Sequence, residues 1–398
     1  METTLNMPLA PPEPAPAGSF ESEPVPGPLF ERNTTEEWIT PRWQGSGGGC
    51  GAVMADTTLQ HRVDIGGSAS GLAKLDVIFV DSEGEGEGAV DDGGPTREYL
   101  RLLMRAIQHS KIFDGPEDDR LLALDTHYLE TGLYTLFGKM VTVCIIHGGV
   151  RPCFFSKRLF LRLCGKSPPA ASLDEVGDQS FREKLLKIKG AETVREANDA
   201  ITDAEDSVSM MGTLRYITSL EQRDSLVQSA AHYFVDGRMH VAFRQFEEGF
   251  KTLGFLDELR AHPEIFEDLF TSAPKPLEAK DFSTLFQVDF SVPGSNRRPL
   301  ENQTICFWRD WLIDVEEGEC SPLTLEMVPE FASGASAVPP LGFPLHPVIE
   351  FLYNEDTKIF PEANTCAIVL RLPIHKQYEK FKSCMTEGIL QAPGFGIA

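Results

Sequence analysis

One cysteine lies where an exposed loop is expected to become a buried strand, close to the end of the chain. In the run "FPEANTCAIVLRLP" (residues 360–373), Cys366 follows proline, acidic and polar residues and precedes four apolar ones. A buried structural cysteine is one interpretation, because cysteine is among the residues most often found in protein cores. A hydrolase nucleophile is a second, although the nearest histidines, His346 and His375, have no supporting motif around them.

A thiol that accepts an acyl group from one thioester and passes it to an amine is the third interpretation. Such exchange needs little activation, since a free cysteine with a pKa of about 8.5 is already partly thiolate at neutral pH. It needs an exposed loop, hydrogen-bond donors for the oxyanion, and a hinge that lets one thiol visit donor and acceptor in turn. The sequence offers a polar loop, Thr365 beside the cysteine, and a proline-rich boundary near residues 280–300.

The bulk composition excludes several other classes of function. A formal net charge of -24 argues against nucleic-acid binding, which needs clustered lysine and arginine, and it suits basic protein partners. The eight cysteines form no CxxC pair, and the histidines show no ligand spacing around them, so no metal site is predicted. Because no secretory signal and no apolar run of bilayer length is found, we expect reduced thiols, no membrane association, and a cytoplasmic or nuclear location.

Composition divides the chain into a leader and two folded parts. Residues 1–70 are rich in Pro, Gly and Glu and predict a mostly disordered leader. Segment 71–283 begins with a strand at 72–80 and continues as amphipathic helices. Prolines and polar residues indicate a hinge at 284–299, and the last part, 300–398, combines helices with short strands. The pattern predicts an α+β fold with a mainly helical amino-terminal lobe and a small α+β carboxyl-terminal lobe.

Several runs of residues, taken in order, resemble HECT-type ubiquitin-protein ligases. "ANTCAIVLRLP" and "PGFGIA" resemble the family's Thr-Cys loop, the L-x-L-P that follows it and the terminal Gly-Phe-Gly. "FASGASAVPPLGF" and "FWRDWL" resemble two further segments of the same lobe. In the larger lobe, "VDDGGPTREYLRLL" resembles the motif D-x-G-G-x-x-R-E-F/W-x-x-L, and "AFRQFEEGF" resembles A-F-x-x-G-F. The resemblance covers about residues 71–398, and "VPPLGFP" is most similar to the members named for the G2/M phase of the cell cycle.

The resemblance implies an activity and roles for individual residues. Cys366 would accept ubiquitin as a thioester from a conjugating enzyme docked on the larger lobe and transfer it to a lysine of a protein substrate. Thr365 would polarise the thioester carbonyl or cap the loop, with Asn364 beside it. Phe395, fourth from the end, would act in the ligation step or simply anchor the tail. No cofactor is implied.

Three residues of the carboxyl-terminal part depart from the family pattern. Many members have a histidine where this chain has Asn364, which can hydrogen-bond but cannot take a proton. Ala337 replaces an arginine, and Ile368 replaces an asparagine two residues after the cysteine. These departures sustain an alternative: a catalytically weak HECT-like module that binds ubiquitin or a partner without completing transfer.

A fourth departure concerns the part of the larger lobe that docks the conjugating enzyme. Residues 165–240 look short for the family's small subdomain, and its expected Gly-containing hairpin is not evident. The run "ITDAEDSVSMMGTLRYITSLEQ" is the candidate replacement. Met210, Met211 and Leu214 within it are either exposed apolar contacts or core residues.

Overall fold

The computed structural model describes residues 31–33, 36–39, 59–63, 75–79, 91–353 and 359–392. Near the amino terminus, four strands form an antiparallel sheet in sequence order: β1 (Glu31–Asn33), β2 (Glu36–Ile39), β3 (Leu59–Val63) and β4 (Leu75–Phe79). Strand β4 confirms the strand predicted at 72–80. The first three strands fall within the leader, 1–70, for which the sequence predicts mostly disorder, and the other residues of that leader lie outside the described residues.

A helical core makes up most of the amino-terminal lobe. Its elements are α1 (Gly94–Gln108), β5 (Phe113–Asp114), β6 (Leu121–Leu122), α2 (Thr126–Thr131), α3 (Leu133–Gly148), α4 (Lys157–Leu163), α9 (His240–Phe250), α10 (Phe255–Ala261) and α11 (Pro263–Thr271). Helices α3 and α9 lie so close that a methyl group at Gly138 would collide with the carbonyl group of Phe246. This contact holds the aromatic side chains Tyr134, Phe246 and Phe250 in the buried core.

A separate helical subdomain, residues 171–235, lies between α4 and α9 in the chain. It contains α5 (Gln179–Gly190), α6 (Val194–Asp203), α7 (Glu205–Met210) and α8 (Leu220–His232), and its hydrophobic core is its own. Buried Arg158 of α4 ties it to the lobe through an ion pair with Glu175 at 2.6 Å, and it also pairs at 2.9 Å with Asp236, which directly follows the subdomain. The segment that looks short in sequence therefore forms a packed all-helical unit.

The carboxyl-terminal lobe packs helices against a four-stranded sheet. Its elements are α12 (Phe282–Leu285), β7 (Gln287–Val288), α13 (Arg298–Glu316), α14 (Met327–Ser333), β8 (Val348–Leu352), β9 (Glu362–Asn364), β10 (Val369–Pro373) and α15 (Tyr378–Leu390). The strand order is β7-β8-β10-β9, with β10 parallel to β8 and antiparallel to β9. These elements confirm the predicted α+β class. No helix in the described part of the chain is long and apolar enough to cross a membrane.

Segment 284–299, predicted as a hinge, lies inside the carboxyl-terminal lobe. Phe286 is buried in the core of this lobe, and β7 pairs with β8. Pro299 occupies the first turn of α13, where proline is tolerated because no intrahelical N–H bond is lost. The prolines therefore mark turns and a helix start. The chain that separates the two cores runs from the end of α11 at Thr271 to Leu277, which packs against the carboxyl-terminal core.

Candidate active site

Cys366 lies in a tight turn between two strands. Strands β9 and β10 pair with Asn364 opposite Val369, and residues 365–368 form the connecting turn. The Asn364 side-chain oxygen accepts a hydrogen bond from the backbone N–H of Ala367 at 3.0 Å. This bond bridges the cysteine and fixes the shape of the turn, a role that needs no proton transfer.

The turn ends at a residue with an unusual backbone conformation. Ile368 has a φ of 56°, in the left-handed region that costs an L-residue about 1–2 kcal/mol. Its side chain is fully buried, and its carbonyl group accepts a hydrogen bond from the N–H of Val348 at 3.0 Å. Asparagine, the family residue at this position, tolerates the left-handed region well. In this chain a fully buried isoleucine adopts that conformation.

The predicted site residues differ in their access to solvent. Asn364 is exposed, whereas Thr365 and Cys366 are each partly buried. Cys366 therefore lies at the surface of the lobe and not in its core, which disfavours the structural-cysteine interpretation. Phe395 lies outside the described residues, as does the rest of the tail from residue 393.

The two histidines considered as bases are engaged with backbone carbonyl groups. The Nε2 atom of His375, which is buried, lies 2.9 Å from the carbonyl oxygen of Ile359. The Nδ1 atom of His346 lies 3.2 Å from the carbonyl oxygen of Pro347. These contacts give both rings structural roles and lend no support to the hydrolase interpretation.

The cysteine turn packs against the first helix of the amino-terminal lobe. Arg97 donates from Nε to the carbonyl oxygen of Ser333 at 2.8 Å and from Nη2 to the carbonyl oxygen of Thr365. A Cβ atom built at Gly94 would overlap the Thr365 hydroxyl and lie 3.1 Å from the backbone nitrogen of Cys366. Sequence reasoning missed these two residues of α1. The available signal was their place in the "DDGGPTREYL" motif, which the sequence connects to the family but not to the cysteine.

Charged groups concentrate where α1 begins. Burial lowers the pKa of the Arg97 guanidinium, while the negative charges of the Cys366 thiolate and of Asp91 act in the opposite direction. Asp91 accepts a hydrogen bond from the N–H of Gly93 at 2.7 Å and orders the start of the helix. A cation therefore lies beside the cysteine turn even though the family's other arginine is Ala337 in this chain.

The helical subdomain exposes three apolar side chains between residues 210 and 216. Met210 is 78% exposed, Tyr216 is 67% exposed, and Leu214 between them is 38% exposed. We call these three residues the apolar patch. Met211 instead packs against the core of the subdomain. Of the three candidate contacts predicted from the sequence, two are thus exposed and one is not, while Tyr216 was missed.

Comparison with known proteins identifies the family. Residues 101–398 match the family described as HECT-domain (ubiquitin-transferase). This chain belongs to the HECT family. The G2/M phase-specific E3 ubiquitin-protein ligase of Homo sapiens is 35% identical over 73% of the chain and 40% of the relative. That of Gallus gallus is 36% identical over 73% of the chain and 38% of the relative.

More distant members match over a longer part of this HECT chain. The probable E3 ubiquitin-protein ligase HERC3 of Homo sapiens is 22% identical over 81% of the chain and 30% of the relative. The chain thus spans two-fifths or less of the length of these curated relatives. The family and the G2/M-named subgroup predicted from the sequence are both confirmed.

Proposed function

We propose that this HECT chain is a ubiquitin-protein ligase in which Cys366 carries ubiquitin from a conjugating enzyme to a substrate lysine. In the first transfer, the Cys366 thiolate attacks the thioester carbonyl carbon on the conjugating enzyme, whose own thiolate leaves. In the second, the lysine amine attacks the new thioester, the Cys366 thiolate leaves, and the amine proton passes to water. The observation that carries the proposal is a partly exposed cysteine on a surface turn of a HECT domain.

The neighbours of Cys366 support this chemistry through the shape of the turn. The bond from the N–H of Ala367 to Asn364 holds the turn closed around the cysteine. Thr365 presents its hydroxyl against the start of α1, close to Gly94. Phe395 keeps the role that the family resemblance implies, so Phe395→Ala should retain the thioester and slow transfer to lysine.

The apolar patch is the proposed docking site for the conjugating enzyme. Met210, Leu214 and Tyr216 protrude from a subdomain whose own core is already filled, so they contribute little to folding. Exposed methionine and aromatic side chains are typical of the centres of protein interfaces. A conjugating enzyme held there would present its thioester to a carboxyl-terminal lobe that can move.

Residues 272–276 are the proposed connector on which that movement depends. This run, "SAPKP", lies between the end of α11 and the first residue packed on the carboxyl-terminal core. It contributes no side chain to either core. Motion about this segment would bring Cys366 to the conjugating enzyme and then to the substrate.

The test is to load a panel of conjugating enzymes with labelled ubiquitin, add the chain, and separate the products with and without reducing agent. We expect a reducible ubiquitin adduct that is lost in Cys366→Ser. Cys306→Ser is the matched control, because Cys306 is also free and is the more exposed of the two. An adduct that survives Cys366→Ser, or that disappears in Cys306→Ser, would contradict the assignment of the acceptor thiol.

A HECT module that binds ubiquitin without transferring it is the second candidate. The observation in its favour is that Asn364 stands where many members have a histidine, and its side-chain oxygen is already used inside the turn. This candidate predicts ubiquitin binding without a reducible adduct for every conjugating enzyme in the panel. The same experiment therefore separates the two functions.

A further inference from the structure

Two arginines of α1 bind carbonyl groups of the carboxyl-terminal lobe. Arg97 donates to the carbonyl groups of Ser333 and Thr365, and Arg101 donates to that of Gly334 at 3.2 Å. Helix α14 ends at Ser333, so two of these acceptors lie at a helix C-terminus, where carbonyl groups lack intrahelical partners and carry partial negative charge. The two arginines of the amino-terminal lobe thus cap the carboxyl end of α14 in the other lobe.

Arg97 is distinguished from Arg101 because it also holds the cysteine turn. Its side chain is only 7% exposed, and its single guanidinium joins the end of α14 to the residue directly before Cys366. A planar guanidinium can direct two N–H groups at two acceptors at once, whereas a lysine ammonium acts as a point charge on a flexible stem. Arg97 therefore fixes the turn relative to both α1 and α14.

Two glycines allow the lobes to approach this closely. A Cβ atom at Gly94 would overlap the Thr365 side chain, and one at Gly334 would lie 3.0 Å from the Gly94 carbonyl oxygen. The backbone of Gly94 is not in the left-handed region, so alanine fits the helix itself and is obstructed only by the other lobe. The fit at Gly94 is thus specific to the docked arrangement of the lobes.

We propose that Arg97 is a positioning residue that docks the cysteine turn on α1 for the second transfer, from Cys366 to lysine, an inference that rests on the proposed ligase function. The first transfer requires Cys366 to reach an active site on another protein, for which a docked turn offers no advantage. In the second, the thioester must be held while an amine attacks it. A fixed turn lowers the cost of orienting the thioester for that attack.

The test separates the two transfers in single-turnover experiments on the whole chain. Thioester formation on Cys366 is timed first, and its discharge to free lysine is timed after the conjugating enzyme has been quenched. The variants are Arg97→Ala, Arg97→Lys and Gly94→Ala. Arg105→Ala is the control for losing an exposed cation from α1, and Gly190→Ala is the control for the glycine change, because nothing lies within 4 Å of a Cβ there.

We expect all three test variants to form the thioester within about twofold of the unaltered rate and to discharge it about tenfold more slowly, which is about 1.4 kcal/mol in the barrier. Both controls should match the unaltered chain in both steps. Unaltered or faster discharge in Arg97→Ala and Gly94→Ala would overturn the inference, as would equal loss of both steps. If the unaltered chain forms no thioester, the proposed ligase function itself fails, so the two failures are distinguishable.

Discussion

The ring of Phe286 packs edge-on against the indole of Trp308, with their centroids 6.4 Å apart and their planes at 79°. Both side chains are buried, and Trp308 belongs to α13, the central helix of the carboxyl-terminal core. Edge-to-face aromatic pairs contribute about 0.5–1.5 kcal/mol beyond the burial of their area. The segment that contains Phe286 therefore moves with this lobe and does not bend between the lobes.

This placement predicts which proline-rich segment controls lobe motion. Lys275→Pro would turn the "APKP" run into consecutive prolines, which adopt a stiff polyproline helix. We expect overall transfer of ubiquitin from the conjugating enzyme to lysine to slow about tenfold, because both transfers require the lobe to move. The melting temperature should be nearly unchanged, because the proposed connector contributes to neither core. Single-turnover transfer and thermal unfolding measure the two quantities.

The control for Lys275→Pro is a substitution that changes the stiffness of segment 284–299 instead. Pro293→Ala loosens an exposed turn there and should leave transfer unaltered. If Pro293→Ala altered transfer while Lys275→Pro did not, the bending point would lie where the sequence alone predicts it.

The hinge predicted at residues 284–299 shows why the sequence predicts individual helices and strands better than the boundary between the two lobes. Proline restricts only its local backbone, so a proline that opens a helix, such as Pro299, is equivalent in sequence to one in a linker. Only the long-range pairing of β7 with β8 shows that the segment belongs to the last lobe. The helical subdomain posed a different difficulty: its sequence looks short for the family's subdomain, although small residues such as Ala197, Ala200 and Ala230 let its helices form a packed core.

The cysteine turn was more predictable than its partners in the other lobe. Polar residues before Cys366 and apolar residues after it are a local signal. Strand β10 confirms the strand predicted after the cysteine, whereas part of the predicted loop before it forms β9 and pairs with β10. Arg97 and Thr365 are 268 positions apart. Neither residue type nor spacing records which of many exposed arginines will meet a given carbonyl group, because that depends on how two lobes dock.

Because the backbone of Ile368 is left-handed, we expect glycine to be a more stable replacement there than alanine, the reverse of the usual order. Alanine and glycine both remove the buried side chain, at a cost of a few kcal/mol. They differ in that alanine keeps the strain of a Cβ in the left-handed region, whereas glycine does not. We expect Ile368→Gly to unfold with a free energy about 1 kcal/mol higher than that of Ile368→Ala in urea titrations.

The control for this comparison is Leu370, two residues further along the chain in β10 and equally buried, with no left-handed backbone. There the ordinary order should hold, and Leu370→Ala should be more stable than Leu370→Gly. Finding alanine the more stable choice at both positions would show that Ile368 is not strained in solution.

A buried carboxylate at the start of α13 makes the carboxyl-terminal lobe sensitive to acid. Glu301 is fully buried and accepts hydrogen bonds from the N–H and hydroxyl of Ser291 and from the hydroxyl of Tyr353. Burial on its own raises the pKa of the Glu301 carboxyl, but these bonds outweigh it, and the net pKa lies below the ordinary value. The charged form is therefore favoured in the folded state.

The stability that Glu301 contributes should be present at neutral pH and lost in acid. Because the folded pKa is lowered, the contribution is complete above the unfolded value of about 4.3 and falls as pH drops through the folded value. Glu301→Gln should cost about 1–3 kcal/mol at pH 7, and the difference from the unaltered chain should shrink below pH 4. Glu317→Gln is the control, because Glu317 is exposed and its replacement should cost little at any pH. If Glu301→Gln lowered the free energy of unfolding equally at every pH, the prediction would be contradicted.

The apolar patch should affect the first transfer alone. Met210→Ser and Tyr216→Ser remove side chains that are mostly exposed, so the free energy of unfolding should change by no more than about 0.5 kcal/mol. If these side chains anchor a conjugating enzyme, each substitution should weaken its binding about tenfold, which is about 1.4 kcal/mol. Binding is measured directly with an uncharged conjugating enzyme, and thioester formation is measured at subsaturating concentrations of the charged one.

Ile265→Ser is the matched control for the patch, because Ile265 is 63% exposed and lies on α11, outside the helical subdomain. It should leave binding and both transfers unaltered. Discharge of a thioester already formed on Cys366 should be the same in all three variants, since the conjugating enzyme has left by then. A patch variant that binds normally, or one that slows only discharge, would remove the patch from the docking surface and leave the role of Cys366 untouched.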